Sequence, residues 1–195
     1  MTEARRPPAR TRLLDAADRV LFEQGIRATP VDDLLREAGV SVSTLYTHFG
    51  SKDGLVAEVL DTRLHDWRMV WDRCVVAAHD DEGRLLAIFD AVATYREEQH
   101  HPAGWCAFLA AADELPSAPA AIAQVLASHT DLLTERLLHL SRPLAQNQVK
   151  AQELADEMAL IYTGVLASYL RGYPGSPVEG GRRAAQAAVQ ARRTG

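Results

Sequence analysis

Apolar residues along this 195-residue chain recur at intervals of three and four, the spacing of one face of an α-helix. The pattern predicts nine or ten helices and no strands. The first runs from about residue 10 to Gly25, with Leu13, Leu14, Ala17, Val20, Leu21 and Phe22 inward. Two short helices follow between Thr29 and Gly50. A long fourth helix, from Lys52 to about Ala78, repeats apolar residues from Leu55 through Leu64, Trp67, Trp71 and Val75. Asp81–Gly83 breaks it. A fifth helix, about 84–100, carries Leu85, Ile88, Phe89, Val92 and Tyr95 on one side, and a shorter one around 103–112 contains Trp105 and Phe108. Pro116 and Pro119 mark a fresh start for a helix reaching about residue 140, which Pro143 closes. The last two helices, about 148–172 and 177–193, flank a turn-rich Gly172–Pro177 segment.

Residues 29–54, TPVDDLLREAGVSVSTLYTHFGSKDG, carry the densest local signals. Thr29 is a good N-cap, Pro30 suits the first helical position, and Asp32 completes a weak capping box beside Asp33. Val31, Leu34, Leu35 and Ala38 form one apolar face. Gly39 then supplies the left-handed conformation that ends a helix. Ser41 can cap the next helix, where Leu45 and Phe49, four apart, point to the core. Val42, Ser43, Thr44, Tyr46, Thr47 and His48 are left outside, and none is acidic. Gly50 ends this helix, and Ser51 caps the following one with Lys52 in its first turn.

Two short helices joined by a glycine-containing turn form the helix-turn-helix unit, whose second helix can enter a DNA major groove. The segment AGVSVSTLYTHFGSKDGL closely resembles the DNA-binding domain of the TetR family of bacterial regulators, and LLDAADRVLFEQGIRATPVDDL upstream resembles that family's first helix. The resemblance covers residues 11–60 and not residues 61–195. It implies an all-α fold. Residues 1–51 would be a three-helix DNA-binding domain, and residues 52–195 a helical ligand-binding and dimerisation domain. Leu35 departs from the small residue usual at its position, and Ser43 from the usual glycine or other small residue. The resemblance puts Thr44, Tyr46 and Lys52 on the DNA backbone, with Val42, Ser43, Thr47 and His48 nearer the bases. Chemistry agrees in kind: hydroxyls and lysine suit phosphates, and a small apolar group can meet a thymine methyl. The helix that starts at Thr29 can also present N–H groups to phosphate. Tyr46 as a packing residue and His48 as a plain surface histidine are the alternatives.

A net charge of −5 taken alone opposes nucleic-acid binding. Distribution matters more than the sum. Residues 1–12 hold Arg5, Arg6, Arg10 and Arg12 against Glu3. This arm reads either as lying along phosphates or in a minor groove, or, for residues 1–8, as a solvated disordered tail. No apolar run approaches a membrane span, and the N-terminus lacks an export signal core, which predicts a cytoplasmic protein with no membrane partner. Cys74 and Cys106 make no disulfide framework and read as reduced, partly buried thiols.

Trp67, Trp71, Ile88, Val92, Trp105, Phe108, His129 and Tyr162 lie on inward faces and are the candidate ligand-binding residues. Each aromatic taken singly reads as core; together, and given the family, they suggest a pocket for a small, largely hydrophobic or aromatic effector. No cofactor or metal is expected: His100 and His101 are adjacent, which is poor metal-ligand spacing on a helix. Leu154, Met158, Ile161, Gly164, Val165, Ala167, Ser168 and Tyr169 are candidates for a homodimer surface, with packing inside one subunit as the alternative. The expected function is a transcriptional repressor released from a palindromic operator by its effector. A tilt of the long fourth helix would carry the signal. The alternatives are a ligand-independent structural or nucleoid-associated DNA-binding factor, and an all-helical enzyme. The enzyme reading is disfavoured because His65-Asp66 and Asp113-Glu114 point apart on helices and nothing else converges.

Overall fold

The computed structural model describes residues 7–99 and 106–193. These residues form helices α1 (Ala9–Gln24), α2 (Val31–Ala38), α3 (Val42–Phe49), α4 (Lys52–Ala77), α5 (Asp81–Gln99), α6 (Ala107–Glu114), α7 (Ala120–Ser141), α8 (Gln148–Leu170) and α9 (Pro177–Arg193). A 3-10 turn, Arg142–Leu144, follows α7, and no strand occurs among the described residues. No helix among them is long and apolar enough to cross a membrane.

The chain packs into two compact units, Met1–Leu64 with His101–Ala127, and His65–His100 with Ser128–Gly195. The division falls inside α4, where the sequence reading ended the first domain at residue 51. The reason is burial. Leu55, Val56, Val59 and Leu60 of α4 are at most 1% exposed and belong to the same core as Leu13, Leu21, Leu34 and Leu45. Ala107 and Ala111 of α6 and Ile122 of α7 complete that core. A salt bridge also ties α4 to α1: Arg63 Nε donates to Asp18 Oδ1 at 2.5 Å.

In the second unit α5 is the central helix. Leu85 to Phe89, Ala91 and Val92 are all buried, so α5 is covered nearly all round and not on one side only. Asp80 caps it by accepting from the Gly83 N–H at 2.7 Å. α9 packs on both α5 and α8. That approach depends on Gly181, where a Cβ would strike Val165 and come within 3.1 Å of the Phe89 ring. Asn147 caps α8 by accepting from the Lys150 N–H at 3.0 Å.

Candidate nucleic-acid interface

The α2–α3 turn follows from Gly39, which sits in the left-handed region at φ 60° and ψ 46°. Its N–H donates to Arg36 O at 3.2 Å and the Val40 N–H to Leu35 O at 3.1 Å, the paired bonds of a Schellman motif. From this turn α3 is held by Leu45, 2% exposed, and by Phe49, half-buried against the first core. Leu35, 7% exposed, is absorbed into that core. Val42, Ser43, Tyr46, Thr47 and His48 are exposed and Thr44 is half-buried.

The hydroxyls at the start of α3 form a small network. Ser41 Oγ lies 2.8 Å from Ser43 Oγ and 3.2 Å from Thr44 Oγ1. Ser41 occupies the N-cap position, yet its hydroxyl bonds these side chains and not a backbone N–H. Tyr46 is 63% exposed, too open for a packing tyrosine. Flanking acids are paired: Glu37 with Arg19, Asp33 with Arg36 and Glu58 with Arg10. The outward face of α3 is thus neutral to basic although the chain is acidic overall.

The structure adds to the sequence expectations for Thr29, Lys52 and the basic arm. Thr29 is not the N-cap of α2, which begins at Val31 with no side-chain capping bond. Thr29 is 1% exposed, and its hydroxyl turns back to donate to Gly25 O at 2.7 Å, so that hydroxyl is engaged within the protein. Lys52 is half-buried and donates to Ile26 O at 2.5 Å and Thr29 O at 2.6 Å. Burial holds its pKa below the usual lysine range, against the opposing fields of Asp53 and Glu114. These two bonds tie Lys52 to the α1–α2 corner. The basic arm is also partly committed. Arg12 donates to Ala38 O at 3.1 Å and Gly39 O at 2.9 Å, closing the end of α2, and Arg10 pairs with Glu58 over the Phe49 ring. Arg5 and Arg6 lie outside the described residues.

The candidate effector residues separate. In the second unit Trp67 is the hub of an aromatic cluster: its ring centroid lies 5.8 Å from Trp71, 5.8 Å from Tyr95 and 6.0 Å from Tyr162. Ile88 and Val92 are fully buried in that unit. The Arg136 guanidinium sits 4.5 Å over Trp71 and pairs with Asp72. Arg136 and Tyr95 were not among the sequence candidates, and only the three-dimensional packing reveals them. The Trp71 indole N–H is buried and has no acceptor among the described residues. His129 is half-buried in the same unit, and desolvation pushes its pKa down to about 4, so it is neutral at pH 7. Phe108 instead packs against the core of the first unit. Trp105 lies outside the described residues.

The proposed dimer residues separate too. Leu154, Met158 and Val165 are buried within the subunit, because α8 turns that face toward its own unit. Gly164 is exposed, and Ile161, Ala167, Ser168 and Tyr169 are half-exposed. Leu160 and Leu170, at 73% and 48% exposure, are apolar residues that the sequence reading did not single out. A cleft of about 500 Å³ between α8, α9 and the Tyr173–Pro177 turn borders Ile161, Gly164 and Ser168.

A buried-anchor helix projecting hydroxyls, an imidazole and a phenol from a helix-turn-helix unit is the architecture of a DNA-reading head. Comparison with known proteins agrees. Residues 13–59 match the profile of the tetR family of bacterial regulatory proteins. The transcriptional repressor KstR2 of Rhodococcus jostii is 35% identical over 103 residues, covering 47% of this chain and 50% of that protein. The regulator BetI of Agrobacterium fabrum is 32% identical over 105 residues, covering 52% and 50%. The regulator TtgW of Pseudomonas putida is 30% identical over 98 residues, covering 50% and 73%. The chain thus spans about half the length of the KstR2 and BetI relatives it matches. Among solved structures, a TetR-family regulator from Streptomyces coelicolor superposes with a TM-score of 0.82 at 22% identity, covering 94% of this chain and 95% of that one. The chain belongs to the TetR family of bacterial regulatory proteins.

Proposed function

We propose that this chain is a DNA-binding transcriptional regulator working as a repressor, with α3 lying in the major groove of a palindromic operator. The carrying observation is the surface of α3. Val42, Ser43, Tyr46, Thr47 and His48 are exposed around a Leu45 anchor, with no acid among them. In this reading Thr44 and Tyr46 meet the DNA backbone, and Val42, Ser43, Thr47 and His48 approach base edges. The outward face of α3 has no Arg, Asn or Gln, so bidentate base readout is missing there. Base preference is correspondingly modest and leans on DNA shape.

Two copies would join through the exposed faces of α8 and α9, around Leu160, Ile161, Gly164 and Ser168. Twofold symmetry in the protein then matches the palindrome, with half-sites about 34–36 Å apart. The aromatic cluster of Trp67, Trp71, Tyr95 and Tyr162 supports a small hydrophobic or aromatic effector, and the Trp71 N–H, with no acceptor among the described residues, would favour one that carries an acceptor. Such a repressor would work in the cytoplasm.

The test begins with the intergenic DNA recovered with the purified protein. Fluorescence anisotropy should give saturable, salt-dependent binding to a duplex of that sequence. Indifference between that duplex and mixed-sequence DNA would favour a structural DNA-binding factor. A compound that raises the melting temperature and releases the duplex would support the effector role.

A further inference from the structure

The loop between α1 and α2 sets where the helix-turn-helix unit begins, and its polar groups are held from two distant helices. The chain leaves α1 at Gly25, at φ 94°. Thr29 closes the turn locally, its N–H and hydroxyl both donating to Gly25 O at 3.1 and 2.7 Å. The remaining groups find partners from outside. The first residue of α4, Lys52, donates to the carbonyls of Ile26 and Thr29. The last residue of α6, Glu114, accepts the Arg27 N–H on Oε2 at 3.0 Å. Its carboxylate also lies against Gly25, 3.4 Å from where a Cβ would stand, and its field reaches the Lys52 ammonium.

We infer that Glu114 and Lys52 together form a hydrogen-bonded latch on the α1–α2 corner, making the C-terminal turn of α6 a positioning element of the reading head. The inference rests on the DNA-binding reading above. Glu114 and Lys52 act through the corner. α2 starts two residues after Thr29, and α3 follows from α2 through the rigid Gly39 turn. A hydrogen bond of this kind is lost within about half an ångström of stretch beyond its 3.0 Å length. A small shift of α6 therefore frees the Arg27 N–H, leaves the Lys52 charge less compensated, and loosens the start of α2. α6 belongs to the same compact unit as α1–α3, so this route is short.

The experiment uses the full chain with Glu114→Ala, Glu114→Gln and Lys52→Met. Two readouts are taken: hydrogen exchange, and anisotropy with the recovered intergenic duplex. Glu114→Ala should speed exchange of a peptide spanning 25–31 by about tenfold and weaken duplex binding by about tenfold, as expected for a lost charged hydrogen bond. Peptides over 13–22 and 150–165 should keep wild-type rates. Glu114→Gln retains an acceptor oxygen and should stay within about threefold of wild type in both readouts. Lys52→Met should reproduce the exchange effect from the other side. Unchanged exchange at 25–31 in Glu114→Ala overturns the latch. So does faster exchange with unchanged DNA affinity, a Gln variant as weak as the Ala variant, or a rise spread equally over 13–22. Failure of the wild-type chain to bind any duplex would sink the DNA-binding reading instead, while exchange at 25–31 still decides the latch.

Discussion

Arg63 holds Asp18 by side chain and backbone: Arg63 Nε donates to Asp18 Oδ1 at 2.5 Å, and Nη2 donates to the Asp18 backbone carbonyl at 3.0 Å. The guanidinium also stacks 4.2 Å over the Phe22 ring, and Arg63 is only 6% exposed. Asp18 and Phe22 are one turn apart on α1, so a single α4 side chain clamps two residues of that helix. Removing one partner of a buried pair leaves the other charge uncompensated. Asp18→Ala should cost about 3 kcal/mol. The Asp18→Ala/Arg63→Met double variant should recover much of that loss, because no bare charge remains. Urea unfolding of the single and double variants checks this. A double variant weaker than Asp18→Ala would show that the pair's packing, not its charge balance, holds α1 to α4.

Tyr46 and Lys52 should behave differently in DNA binding. Tyr46→Phe removes only an exposed hydroxyl and should weaken binding to every duplex by about three- to tenfold without changing the melting temperature. Lys52→Met should lower the melting temperature, because the Ile26 and Thr29 carbonyls lose their donor. It should leave the slope of affinity against salt nearly unchanged, since this ammonium is engaged within the protein. A slope reduced by about one would place Lys52 on a phosphate after all.

Two adjacent glycines of α9 provide a matched pair. At Gly181 an added methyl meets Val165 and the Phe89 ring, both buried, so Gly181→Ala should destabilise by about 1–3 kcal/mol. At Gly180 the same methyl meets nothing within 4 Å, and Gly180→Ala should be neutral or stabilise by up to about 1 kcal/mol through helix propensity. Denaturation midpoints of the two variants should move in opposite directions or differ clearly in size.

His129 sets a pH dependence. Desolvation lowers its folded pKa to about 4, below the unfolded value of about 6.5. Between these values the unfolded chain binds the proton more readily, so acid favours unfolding. The contribution of neutral His129 is complete above about pH 6.5 and is lost as pH falls toward about 4. Relative to wild type, His129→Gln should flatten the melting-temperature curve between pH 6.5 and 4. Parallel curves would remove His129 from the effect.

Cys106 should resist alkylation in the folded protein. Burial raises its thiol pKa to about 11, leaving almost no thiolate at neutral pH. Cys74 is also shifted upward by burial but is only half-buried, so it should react first and slowly. Iodoacetamide labelling at pH 7.5, read by mass spectrometry, checks the order.

Local chemistry was legible in the sequence because it needs only near neighbours. Gly39 ends α2 as expected, Ser51 caps α4 by accepting the Gly54 N–H at 3.0 Å, and α4 runs from Lys52 to Ala77, close to the span its apolar period implies. The outward set on α3 is fixed by the period of the helix once Leu45 is buried. The Thr29 hydroxyl has two possible partners, and local sequence favours a cap over the bond back to Gly25 that the fold selects. The aromatic candidates were legible as a group but not as a cluster, since their spacing along the chain places Phe108 no differently from Tyr162.

The sequence by itself determined an all-helical chain, the helix-turn-helix unit and the side chains that its second helix exposes. These depend on period, caps and turn residues within a few positions of each other. Tertiary structure alone decided where the charges are spent. Lys52 reaches Ile26 and Thr29, Arg12 reaches Ala38 and Gly39, and Glu114 reaches Arg27 across gaps of 23 to 87 residues. It also decided that Leu154, Met158 and Val165 face their own subunit. An apolar stripe or a lone cation carries no record of its partner, and only the packing of distant helices supplies one.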